Sequence, residues 1–231
     1  NDVASLTFNN RFGWLRTAEL GRLMWPNDPY SRTRADRLAK GLLERQLVLA
    51  RALPDGAGRA FVLSLRGAGL LEVAKITARS GKDIGASNQG RWQAPLSWQH
   101  DLIAAGVLAN LFELGYQIMA ERELRQSNPD LTKIPDGLAW RAETDEVIWL
   151  EVEHARKTGP AMRSLADAIC VVSDGQCKLV NQRRPTHVYV AYMKDAADER
   201  PYRLDHRQRV SSAVALVAKS DVKLTWAECA M

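Results

Sequence analysis

Cysteine is scarce in this chain: Cys170, Cys177 and Cys229 are the three present among 231 residues. The number is odd and no CxxC spacing occurs, which argues against a disulfide framework or a cysteine zinc site and for a reducing compartment. No apolar run approaches the roughly 18 residues of a membrane span, so no membrane partner is expected. A secretory signal pattern is missing from the first residues, and a cytoplasmic protein is the expectation. Internal repeats and low-complexity tracts are missing too. The histidines, His100, His154, His187 and His206, are too scattered to form a cluster.

What is present is an ordinary globular composition, 46% hydrophobic and 26% charged, long enough for one large domain or two small ones. Charge is unevenly spread. Residues 1–97 carry 15 Lys and Arg against 8 Asp and Glu, whereas residues 98–231 carry 17 against 19. A basic first part beside a mildly acidic second part suggests a polyanionic partner for the first.

The most informative stretch lies in the middle. Ile134-Pro135-Asp136-Gly137-Leu138-Ala139-Trp140 and Val147-Ile148-Trp149-Leu150-Glu151-Val152-Glu153 read as two strands around a turn near Thr144. The second is an apolar run of the kind buried on both faces, yet it ends in two carboxylates. Alternation puts Glu151 and Glu153 on one side. Counting back from the turn sets Asp136 opposite residue 151 or 152, and directly opposed Cβ atoms lie roughly 4.5–5.5 Å apart. Three carboxylates brought this close resist ionisation unless a positive charge lies between them. A hard divalent cation such as Mg²⁺ suits such oxygens; the competing reading is a water-filled hairpin mouth with solvated acids. Pro135 and Gly137 mark a fixed bend around Asp136 and favour the metal site.

Around this hairpin the chain divides into three. Residues 1–75 predict three helices (residues 3–15, Ala18 to Trp25, and one starting at Ser31), a hairpin over Leu47–Leu53 and Arg59–Leu63, and a helix over Leu65–Ala74. That order is the order of a winged helix-turn-helix, with the third helix as the reading element. Arg32, Arg34, Arg37, Lys40 and Arg45 stud the third helix, and Arg51 and Arg59 flank the wing; these seven are the expected DNA contacts. Residues 76–97, polar and glycine-rich, predict a linker without regular structure. Residues 98–231 predict a helix over Trp98–Leu114, a strand over Tyr116–Leu124, the central hairpin, a helix over Ala161–Ser173, a strand over Thr186–Met193, a helix over Tyr202–Ser220 and a strand over Val222–Trp226.

With Asp136 on one strand and Glu151-x-Glu153 on the next, this second part resembles the restriction-endonuclease-like PD-(D/E)xK nucleases, with Glu153 where their final lysine usually stands. The resemblance implies an α/β architecture in which an N-terminal winged helix precedes a mixed-sheet catalytic domain. The basic linker, His100-Asp101-Leu102, IPDGLAW and WLEVEHARKT together are similar to the replication-relaxation superfamily, most of all to the MobC-type relaxases of mobilisable plasmids. That likeness implies a metal-dependent nick in one strand at a plasmid origin of transfer, with DNA as partner and other relaxosome or coupling proteins possible. It implies Asp136, Glu151 and Glu153 as catalytic residues and ligands of Mg²⁺ or Mn²⁺. Glu153 either completes the metal shell or positions the attacking water. Lys157 is the matching basic residue, set to offset charge developing on the phosphate. His100 and His154 could touch phosphate or metal, but a lone histidine is more often packed or hydrogen-bonded, and neither is assigned a role. With no His-hydrophobe-His cluster, and with Tyr189 and Tyr192 in an apolar strand, hydrolytic nicking fits better than a phosphotyrosine link. The alternative is a DNA-binding regulator of plasmid replication or transfer whose nuclease fold is inert.

Overall fold

Short amphipathic helices and hairpins in the first third, and a long apolar helix against alternating strands in the rest, give the chain a mixed α/β architecture. The computed structural model describes residues 1–82, 84–88, 91–127, 133–153, 159–173, 184–193 and 223–229.

The N-terminal helices are α1 (Asp2–Phe12), α2 (Thr17–Met24) and α3 (Ser31–Glu44), with a two-residue strand β1 (Trp14–Leu15) after the first. Glu19 closes the start of α2 by accepting the Arg16 backbone N–H at 3.2 Å. Helices α2 and α3 pack so closely that a Cβ on Gly21 would lie 2.8 Å from the Ser31 carbonyl carbon. Strands β2 (Val48–Ala52) and β3 (Arg59–Leu63) form the expected hairpin, and β1 completes a three-stranded sheet in the order β1-β3-β2. Ser64 caps α4 (Leu65–Val73) by accepting the Gly67 N–H at 2.9 Å. Leu6, Leu42, Phe61, Leu63 and Leu71 fill the core of this region.

Residues 76–97 depart from expectation. They contain a hairpin, β4 (Ala86–Asn88) with β5 (Arg91–Gln93), anchored to the fold at Trp92 and Ile84. Trp92 donates its indole N–H to the Ile84 carbonyl at 2.7 Å, and both side chains join Trp14, Val62 and Trp98 in one apolar cluster. A sparse apolar pattern hid this, because two anchoring side chains are enough to hold a short polar hairpin in place.

Helix α5 (Trp98–Glu113) leads into β6 (Gln117–Ala120), then α6 (Glu121–Ser127), where a longer strand was expected. The chain turns into helix at Glu121 because Glu123 accepts the Ala120 backbone N–H at 3.0 Å and Leu124 is fully buried. Strands β7 (Gly137–Trp140) and β8 (Val147–Glu153) form the central hairpin, followed by α7 (Gly159–Ser173), β9 (His187–Met193) and β10 (Lys223–Cys229). The helix expected over Tyr202–Ser220 lies outside the described residues. The five-stranded sheet runs β10-β9-β8-β7-β6. It is antiparallel from β6 to β8 and parallel from β8 to β10, so β8 is the strand where the direction changes.

Strand β8 is buried along its whole length, and its two faces meet different helices. Ile148, Leu150 and Val152 pack with Val107, Leu108 and Leu111 of α5. Val147 and Trp149 pack with Leu165 and Ile169 of α7. The α5 face also takes in Leu15, Leu20, Leu23 and Ala35, so the N-terminal helices share a core with the large sheet. Arg11 ties the two further, donating to Glu123 at 2.8 Å and to the Ile118 carbonyl.

Among the described residues, no helix is long and apolar enough to cross a membrane.

Candidate functional site

The register of the central hairpin decides which side chains meet. Gly137 pairs with Leu150, and the Asp136 N–H donates to the Leu150 carbonyl at 3.0 Å, so one step further along sets Asp136 against Glu151. Gly137 is required for space. A Cβ there would lie 2.7 Å from Leu108 Cδ1, so the glycine lets α5 approach the strand beside Asp136. Asp136, Glu151 and Glu153 are 8%, 1% and 5% exposed, which overturns the reading of a water-filled hairpin mouth.

Each carboxylate is held by the residues around it. Asp136 Oδ2 accepts the Val152 N–H at 2.7 Å and lies 3.1 Å from His100 Nε2, on the first turn of α5. Glu151 Oε1 accepts the Trp149 indole N–H at 2.6 Å, both side chains projecting from the same face of β8. Its Oε2 accepts from Lys133 Nζ at 2.9 Å. Among the described residues, the buried acids are thus faced by two cations, Lys133 and His100.

This arrangement drives the carboxyls apart in acidity. Burial works to raise Asp136, but His100, Lys133 and the Val152 N–H outweigh it and hold the group below its ordinary value. Glu151 goes the other way: burial and the neighbouring Asp136 charge lift it to about 6, against the opposing pull of Lys133 and Trp149. Burial also disfavours charge on His100, yet Asp101 and Asp136 overcome it and raise the imidazole to about 10. Lys133 is raised as well, its burial outweighed by Glu151, Asp136 and Glu153. An ionised Asp136 beside a carboxyl poised near 6 is an arrangement suited to proton transfer near neutral pH.

The donor chemistry suits a hard divalent cation. Such an ion commonly takes one or two carboxylates and leaves the rest of its shell to water and substrate phosphate, a role open to Asp136 with Glu151. Among the described residues, no group of three or more His, Cys, Asp or Glu side chains is placed to hold an ion together. Lys133 and His100 supply the compensating charge instead. Asp136 and His100 line a cleft of about 800 Å³ that runs between α5, α6 and the Phe12–Trp14 turn.

The seven residues expected to contact DNA fall into two groups. Arg32, Lys40 and Arg59 line one cleft of about 620 Å³ between α3 and the β2–β3 turn, and Arg37 is exposed on the same helix. The others have local partners. Arg34 lies 3.1 Å from Asp28, Arg45 forms an ion pair with Asp2, and the Arg51 guanidinium sits 5.9 Å from the Trp92 ring centre.

Lys157 and His154 lie outside the described residues. Lys133 was not anticipated, because its link to Glu151 is made by the tertiary fold and leaves no spacing in the sequence. The one available signal was its position next to Ile134-Pro135-Asp136. His100 was expected to be hydrogen-bonded, and it is, with Asp136 as the partner.

No known protein family matches the chain, and neither a curated protein nor a solved structure matches it.

Proposed function

We propose that the chain binds DNA through an N-terminal winged helix-turn-helix and cuts one strand with a restriction-endonuclease-like second unit, as a relaxase acting at a plasmid origin of transfer. One observation carries the reading: Asp136, Glu151 and Glu153 are buried together between the start of β7 and the end of β8, with Lys133 on Glu151 and with Asp136 lining an open cleft. Burying this much like charge is costly, and structural stability alone gives no reason to do so. The helix α5, three antiparallel strands, helix α7 and a parallel strand are consistent with the nuclease-like architecture.

Asp136 and Glu151 would hold Mg²⁺ or Mn²⁺, with Glu153 either adding a ligand or acting on water. Bound there, the ion would polarise the scissile phosphate and acidify a water molecule. The chain's own residues do the rest. His100 and the Val152 N–H keep Asp136 ionised and oriented. Lys133, a third exposed and near all three acids, supplies positive charge against a phosphate.

The test is supercoiled plasmid carrying its own origin, incubated with protein and Mg²⁺ or Mn²⁺, with and without EDTA. Conversion to open circles, lost with EDTA and lost in Asp136→Asn, is the expected result. Relaxation that survives Asp136→Asn would overturn the assignment.

A second reading, an inert core serving a DNA-binding regulator, has its own support: Trp149 and Lys133 already occupy both oxygens of Glu151. It requires DNA binding without relaxation under any divalent ion, and full regulatory function in Glu151→Gln.

A further inference from the structure

The cleft beside Asp136 carries positive charge that the carboxylate site does not use. Arg79 and Arg122 both line it. Arg125 lines it as well but is paired with Glu121, while His100 is taken up by Asp101 and Asp136. Arg79 and Arg122 differ from these: among the described residues neither has a carboxylate or hydrogen-bond acceptor for its guanidinium.

The fold holds both in place. The Arg79 backbone N–H donates to Asn10 Oδ1 at 3.2 Å, and Asn10 Nδ2 donates to the Thr77 carbonyl at 3.0 Å, fixing that segment to α1. Arg122 projects from the first turn of α6, which Arg11 ties to the same helix through Glu123. Its guanidinium lies against the Phe12–Trp14 turn, where a Cβ on Gly13 would come within 3.1 Å of Nη1. Burial and the nearby Arg79 charge both disfavour the cationic form of Arg122. Two like charges kept close, one of them half-buried, are a standing cost to the fold unless an anion comes between them. A guanidinium pair is geometrically matched to phosphate oxygens.

We infer that Arg79 and Arg122 form a phosphate clamp for a DNA strand passing through the cleft toward Asp136. The inference rests on the DNA-processing reading above and adds a second contact surface, separate from the Arg32, Lys40 and Arg59 cleft.

Binding of a labelled duplex and of a single strand, followed by fluorescence anisotropy in EDTA across a salt series, tests it without any cutting. Each phosphate contact contributes roughly 0.9 to the slope of log affinity against log salt for duplex, or about 0.7 for a single strand. Arg79→Gln with Arg122→Gln should lower the slope by about 1.4–1.8 and weaken binding at least tenfold. Arg79→Gln alone alters an exposed side chain and should give about half the slope change in a folded protein. An unchanged slope in Arg79→Gln, and in the double variant if it folds, overturns the clamp while leaving the relaxation assay untouched. Wild-type protein that binds no DNA overturns both readings. Loss of relaxation in Asp136→Asn together with the lowered slope in Arg79→Gln supports both.

Discussion

Lys133 Nζ and Glu151 Oε2 lie 2.9 Å apart, which places an ammonium among carboxylates that the hairpin buries. Burial and the Asp136 charge set how Glu151 responds to pH, and the Lys133 contact opposes them. Its value in the fold is raised from 4.5 to about 6, so the stability it contributes is full below 4.5 and is lost as pH rises through about 6. Lys133→Met removes a group that opposes this loss. At pH 8 the variant should be less stable than wild type by about 1–3 kcal/mol, the cost of leaving a buried acceptor without its partner. Near pH 5 the deficit should shrink. Urea denaturation at both values checks this, and an equal deficit at both would contradict the pairing.

His100 follows the same sign at higher pH. Raised from 6.5 to about 10 by Asp101 and Asp136 against the effect of burial, it contributes stability that is full below 6.5 and lost as pH rises through about 10. In EDTA, the gap in Tm between wild type and His100→Gln should be widest near pH 6 and should close toward pH 10.

The approach of α5 to β7 can be probed at Gly137. An added Cβ would meet Leu108 at 2.7 Å inside a packed core, so Gly137→Ala should cost about 1–3 kcal/mol. Leu108→Ala removes the obstacle, and the double variant should be more stable than the sum of the two single losses. Simple additivity in chemical denaturation would count against the clash.

On the proposed DNA-binding side, Arg32, Lys40 and Arg59 line a common cleft, whereas Arg34 and Arg45 are engaged by Asp28 and Asp2. Replacing the first three by Gln should reduce the salt slope of duplex binding by roughly 0.9 per lost phosphate contact. The Arg34→Gln and Arg45→Gln pair should change it less. Equal effects would mean that the ion pairs open on binding.

Much of the central hairpin was legible because strand alternation is a strict rule: once Val147–Glu153 reads as a strand, Glu151 and Glu153 must share a face with Trp149. Counting from the turn likewise placed Asp136 opposite the end of that strand. The partners of these acids were not legible. Lys133 reaches Glu151 from outside any strand, and His100 reaches Asp136 from another helix, so both contacts exist only in the folded chain. Gly137 was noticed as part of the bend that the chain makes at Asp136, whereas the room it leaves for Leu108 was not legible. Residues 116–124 misled because Gln117–Ala120 is a strand, and only the Glu123 cap and buried Leu124 reveal that helix begins at Glu121. The hairpin within 76–97 depends on Trp92 and Ile84, two anchoring residues whose partial burial no periodicity announces.

The shared packing of Leu15, Leu20, Leu23 and Ala35 with α5, reinforced by the Arg11 link to Glu123, acts as a ruler. The span from the α3 surface to Asp136 is then a fixed length of the described fold. If the chain nicks DNA as proposed, the cut would fall at a constant number of nucleotides from the bases that a DNA-bound α3 would touch, and inserting residues between β4 and β5 would not move it.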